Sequence, residues 1–210
     1  MKSSLVARAA LAALLIASAA PALHAAPILS ENFDELTAAL DVTNVGAFHA
    51  INGTNVDIVG GSLFGYLCAA PESGNCVDLG GSGGNPVGQL ALASTLNLAP
   101  GTYLLSFDLI GSGRGLDSST TVTFGSYTNT FLLSSGDVTS GIVVNQAVTI
   151  TGGPTQLTFV NNGQANNIGA LLDNVTIDAA GTAVTPEPAS LTLLATGLLG
   201  AAGAIRRRLA

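Results

Sequence analysis

Asp173 is the carboxylate whose placement in this sequence most needs a chemical reason. In "LLDNVTID" it shares parity with Leu171, Val175 and Ile177, so on a strand it either faces the apolar interior or marks a bulge. A buried carboxylate must be paired or bind a metal. Near the start of the chain, "SENFDEL" supplies Glu31, Asp34 and Glu35, and the first and last strands of a sandwich are often neighbours. Glu31, Asp34 and Asp173 are therefore the candidate ligands of a structural Ca²⁺, whose shell of about six to eight oxygens backbone carbonyls would complete. The competing reading has Asp173 accepting backbone N–H groups at a bulge or turn. No other cofactor is implied.

Cys68 and Cys76 are the chain's two cysteines, separated by "AAPESGN". The intervening Pro, Gly and Asn form turns, and no second thiol pair or nearby His completes a tetrahedral metal set. A disulfide across this small loop is expected in an oxidising compartment. Arg114, in "GSGRGLD", could fork onto Asp117, Asp108 or a ligand, with an internal ion pair as the default. His49 has no Gly-x-Ser-x-Gly elbow to serve, and a lone His at the end of a strand is an ordinary surface residue. The residues therefore suggest no catalytic set. Sugar hydrolysis needs two carboxylates only, so the acids leave that chemistry open.

These side chains must be carried by strands. In "GTYLLSFDLIG", Tyr103, Leu105, Phe107 and Leu109 share one face, and Leu104, Ser106, Asp108 and Ile110 share the other. "TTVTFGSYTNTFLL" alternates likewise and breaks at Gly125-Ser126, a hairpin or bulge. "GIVVNQAVTI" places Ile142, Val144, Val148 and Ile150 together, and "ALLDNVTID" closes the series. No amphipathic helix stands out beyond a turn near "DELTAALD". The pattern predicts an all-β fold, a single antiparallel β-sandwich over residues 27–180, with glycine runs such as "LGGSGGNPVG" as flexible loops at one end. Between residues 27 and 184 one arginine faces twelve carboxylates, a net charge of −11. Nucleic acid is excluded as a partner for lack of a basic footprint, and cations are favoured.

Both termini read as signals. In residues 1–26, Lys2 and Arg8 precede an apolar run from Ala9 to Ala20, and small residues follow with cleavage expected after Ala22, Ala25 or Ala26. That is a secretory signal helix read by the Sec export machinery. At the other end, residues 181–188 form a linker holding Pro186, Glu187 and Pro188, and residues 189–205 carry no charge. As a helix the latter segment spans about 25 Å, at the short limit for crossing a bilayer. Arg206, Arg207 and Arg208 in the tail 206–210 stay cytoplasmic by the positive-inside rule, which leaves Pro186-Glu187-Pro188 just outside.

The ordered set of Pro186-Glu187-Pro188, a short apolar helix and closing arginines resembles the PEP-CTERM sorting signal of Gram-negative bacteria. The resemblance implies recognition by an exosortase, transient anchoring in the inner membrane, removal of the helix, and a destination at the cell surface or in an exopolysaccharide matrix. "VDLGG", "GTYLLSFDLIGSGRG" and "GALLDNVTID" are similar to jelly-roll, galactose-binding-like domains, which often hold a structural Ca²⁺. The expectation is an exported non-catalytic protein that binds carbohydrate or adheres in a biofilm. The alternatives are a secreted polysaccharide hydrolase and a purely structural matrix protein.

Overall fold

The structure is a computed structural model that describes residues 26–68, 74–83, 88–163, 166–181, 197–198 and 205. The chain divides into the unit Ala26–Ala180 and the terminal segments. Among the described residues, no helix is long and apolar enough to cross a membrane. The expected signal helix, Pro186–Pro188 and Arg206–Arg208 fall outside the described residues, and of the expected C-terminal helix only Gly197, Leu198 and Ile205 are described, each helical.

Among the described residues, fifteen strands build the Ala26–Ala180 unit. In chain order they are β1 (Leu29–Glu31), β2 (Ala39–Val42), β3 (Asn44–Val45), β4 (Phe48–Ala50), β5 (Val56–Val59), β6 (Cys76–Asp78), β7 (Gln89–Leu92), β8 (Leu96–Leu98), β9 (Gly101–Ile110), β10 (Ser118–Phe124), β11 (Tyr127–Leu133), β12 (Ile142–Ile150), β13 (Gly153–Thr155), β14 (Leu157–Asn161) and β15 (Leu171–Ala179). Seven form one sheet in the order β12-β9-β15-β6-β5-β2, with β1 also paired to β15. Six form the other in the order β11-β10-β14-β7-β4-β3, while β13 and β8 pair separately. Every pairing is antiparallel. The all-β antiparallel sandwich read from the sequence is the observed fold.

Alternation decides which side chains fill the space between the sheets. On β9, Tyr103, Leu105, Phe107 and Leu109 are buried; on β10, Val122 and Phe124 face them from the other sheet, as does Phe159 of β14. Phe107 meets Phe159 and Phe131 edge-on, with ring centroids 5.4 and 5.6 Å apart, the arrangement that ring quadrupoles favour.

Both neighbours of β9 break the simple parity. On β12 the register slips between Val143 and Gln146, with Asn145 left-handed at φ 52° and its N–H donated to Ser106 Oγ at 2.9 Å. Val144, expected inside with Val148, is instead 70% exposed, and Val148 is 1% exposed. On β15 the register slips between Asp173 and Thr176, with Asn174 at φ 51°. Leu172, Val175 and Ile177 consequently face the main core, while Leu171 joins a small outer cluster with Val59, Leu67, Cys68, Cys76 and Ile110. The glycine run is another correction: Leu79, Gly80 and Gly81 are buried. A Cβ on Gly80 would lie 2.7 Å from the amide nitrogens of Ile168 and Gly169, so backbone packs on backbone there.

These assignments separate by mutation. Phe107→Ala is expected to cost about 3–5 kcal/mol in chemical denaturation. Val144→Ser should shift stability by no more than about 0.5 kcal/mol, whereas simple alternation would make it a core lesion.

Candidate functional site

The outer cluster is where chemistry-bearing side chains meet. After β5, Gly60 and Leu63 exchange backbone hydrogen bonds of 2.9 Å, and a 3₁₀ turn, Gly65–Cys68, follows. Cys68 is bonded to Cys76 at the head of β6, with Cα atoms 5.7 Å apart, as the sequence led one to expect. The staple lays this loop over the outer face of the larger sheet, and Leu67 and Cys68 pack on Ile110 and Leu171 beneath it. Cys68, Cys76, Ile110 and Leu171, with Asp108 and Asp173, line a recess of about 10 Å³, room for about one water molecule.

Asp108 and Asp173 are register partners on β9 and β15. Like charges directly opposite each other repel, and Asn174 mediates between them. Its backbone N–H donates to Asp173 Oδ1 at 2.7 Å, and its amide Nδ2 donates to Asp108 Oδ2 at 2.9 Å. Asp173 thus accepts a backbone N–H at a bulge and stands on the outer face. The residue missing from a sequence reading is Asn174, whose left-handed conformation turns its amide onto Asp108; Asn tolerates that conformation better than most side chains.

The other expected calcium ligands serve elsewhere. Glu31 accepts from Phe33 N at 3.1 Å and from Ala47 N at 2.8 Å. Asp34 Oδ1 accepts from Asn75 N at 2.9 Å, and Asn75 Nδ2 reaches Leu36 O at 2.7 Å, tying the segment beside Cys76 to the turn after β1. Among the described residues, no group of three His, Cys, Asp or Glu side chains could hold a metal ion.

Arg114 forms an ion pair, but with Asp78, a partner the sequence did not single out. Its loop is fixed from several sides: Ser112 Oγ accepts from Arg114 N at 3.2 Å and donates to Leu116 O at 2.8 Å. Gly113 N donates to Ser135 O at 2.8 Å, and Gly115 N donates to Ser135 Oγ at 2.6 Å. Asp78 is 1% exposed and also accepts from Gly80 N at 2.7 Å and Gly169 N at 3.1 Å. Burial outweighs the Arg114 charge and these N–H donors, and pushes the carboxyl up to about 6. Asp57, its register partner on β5, accepts from Asp41 N at 2.8 Å and from Ser82 N at 3.1 Å. No periodicity signal could have paired Asp78 with Arg114, 36 residues away.

Against known proteins, residues 184–208 match the family model of the PEP-CTERM protein-sorting motif. This chain carries a PEP-CTERM sorting motif. The match spans Pro186, Glu187, Pro188 and the arginines 206–208. No curated protein matches the chain. Among solved structures, the K1 cleaved adhesin domain of Lys-gingipain from Porphyromonas gingivalis is 18% identical over 73% of this chain and 98% of its own, at a TM-score of 0.46. CBM35 from Paenibacillus barcinonensis is 15% identical over 69% of this chain and 99% of its own, at a TM-score of 0.40. The exo-β-1,3-galactanase of Phanerochaete chrysosporium is 16% identical over 73% of this chain, at a TM-score of 0.37, and the chain spans only 29% of its length.

Two measurements probe the site's framework. Asp78 binds its proton more tightly folded than unfolded, so its contribution to stability is full below about pH 4 and is lost as pH rises through about 6. Melting temperature should therefore fall from pH 5 to pH 7.5 by more in the wild type than in Asp78→Asn. The Cys68–Cys76 bond closes a short loop, with a sequence separation of 8. Cys68→Ser with Cys76→Ser should accordingly cost about 2–3 kcal/mol in denaturant titration.

Proposed function

We propose that this protein is exported, processed at its PEP-CTERM motif by an exosortase, and held at the cell surface or in the surrounding matrix. There its sandwich associates non-catalytically with exopolysaccharide. The observation that carries this reading is the sorting motif at residues 184–208, placed after a sandwich unit with its own core.

The surface chemistry supports association with a hydroxyl-rich polymer. On the outer face of the smaller sheet, Thr121 and Thr130 are register partners whose hydroxyls meet at 2.8 Å, and Asn162 Nδ2 donates to Thr121 Oγ1 at 2.8 Å. Ser119, Thr123 and Thr128 extend this uncharged strip, which offers donors and acceptors without the repulsion an acidic chain would otherwise impose. Divalent cations, Ca²⁺ among them, are the expected bridges to acidic polymers.

A second reading, a polysaccharide hydrolase, draws on the facing pair Asp108 and Asp173, since glycoside hydrolysis uses two carboxyl groups. A glycan array probed with the exported protein, followed by product analysis on any glycan retained, decides between the readings. The proposal expects retention without product release. Release that disappears in Asp108→Asn or Asp173→Asn would establish the hydrolase instead.

A further inference from the structure

The chain's ten aromatic residues are distributed unevenly. Phe33, Phe48, Phe107, Phe124, Phe159 and Tyr103 are buried, and Tyr127 and Phe131 pack partly buried against the core. Phe64 and Tyr66 are 46% and 70% exposed, two positions apart on the stapled loop. Their rings meet edge-on with centroids 6.4 Å apart. Phe64 is held at φ 57°, where a bulky side chain is strained. Phe33, at φ 59°, offsets that strain by complete burial, whereas Phe64 turns its ring to solvent. The loop cannot relax freely. Cys68 is bonded to Cys76, Leu67 is buried against Ile110 and Leu171, and Leu67 Cδ2 comes within 3.2 Å of where a Cβ on Gly113 would sit. The exposed aromatic pair thus lies two and four residues before Cys68, which itself lines the recess with Asp108 and Asp173.

We propose that Phe64 and Tyr66 form the platform on which a neutral polysaccharide docks, an inference that rests on the binding function proposed above. An aromatic face covers the apolar C–H face of a pyranose ring, and carboxylate oxygens accept from its hydroxyls, so Asp108 and Asp173 supply the polar complement. Charge selects the class of polymer. With a net charge of −11 between residues 27 and 184, a uronate-rich chain is repelled unless a divalent cation bridges it, and an uncharged one is not. Preorganisation by the disulfide reduces the entropy lost on binding.

The test uses the exported protein on affinity gels containing hydroxyethylcellulose, galactan, mannan or dextran, with alginate as the anionic comparator with and without Ca²⁺. The wild type is expected to be retarded by a neutral polymer. Tyr66→Ala and Phe64→Gly should each weaken that retardation about tenfold, and Tyr66→Phe should keep it. Glycine accepts a positive φ, so Phe64→Gly should lose binding without losing melting temperature, a combination that a merely structural role would not give. Retardation unchanged in both variants overturns the platform and leaves the proposed function standing. Absence of retardation by every polymer overturns both. Retardation by alginate alone overturns the neutral ligand. A wild-type dimer that Tyr66→Ala converts to monomer, seen by analytical ultracentrifugation, assigns the aromatics to self-association and overturns the proposal.

Discussion

Strand β9 keeps Tyr103, Leu105, Phe107 and Leu109 on the inner face without interruption, and each neighbouring strand carries one residue too many to match it. Three steps on β12, Val143 to Gln146, span two on β9; three on β15, Asp173 to Thr176, do the same. A bulge reverses side-chain parity beyond it, and an Asn with positive φ absorbs the extra residue in both cases. The placement of the other groups follows from this. Val175 and Ile177 reach the core, and Asp173 goes outside beside the disulfide. On the edge strand β12, the bulge also interrupts a row of backbone groups that could template pairing with another chain.

The acidic side chains obey a second constraint. With one arginine among residues 27–184, most carboxylates cannot find a cation and take backbone N–H groups instead. Glu31, Asp34 and Asp57 all do so, and Asp137 accepts the Ser140 hydroxyl and the N–H groups of Ser140 and Thr139, which lowers its pKa. Glu31 and Asp34, among the expected metal ligands, fasten loops through these bonds. Arg114 and Asp78 hold one end of the sandwich, and Asp34 braces the segment that leads into Cys76.

Much of this was legible in the sequence. Strict alternation on β9 and β10, the break at Gly125-Ser126 and the cysteine spacing translate directly into structure, because period-two patterning and short-loop closure are local. The bulges were half legible. Asp173 on an apolar parity was the symptom, and the alternative of a bulge stood beside the metal reading. Val144 gave no such warning, since it is apolar in either register. The Asp78–Arg114 pair and the packing of Gly80 on Gly169 depend on long-range topology that no local pattern encodes. The exposure of Phe64 and Tyr66 was likewise invisible, since an aromatic residue in a short turn reads as core until the sheets are in place.

Location is carried by a different part of the chain from the proposed binding. The sorting motif marks the protein for export and surface sorting, and the sandwich is the separate folded unit that precedes it. Intact-mass spectrometry of the natural protein, recovered from the surface or matrix of its producing cells, tests this division most directly. The account predicts a chain that starts near Ala26 and ends near Pro186–Pro188. A protein at the surface that still ends in Arg206–Ala210 would contradict processing at the motif.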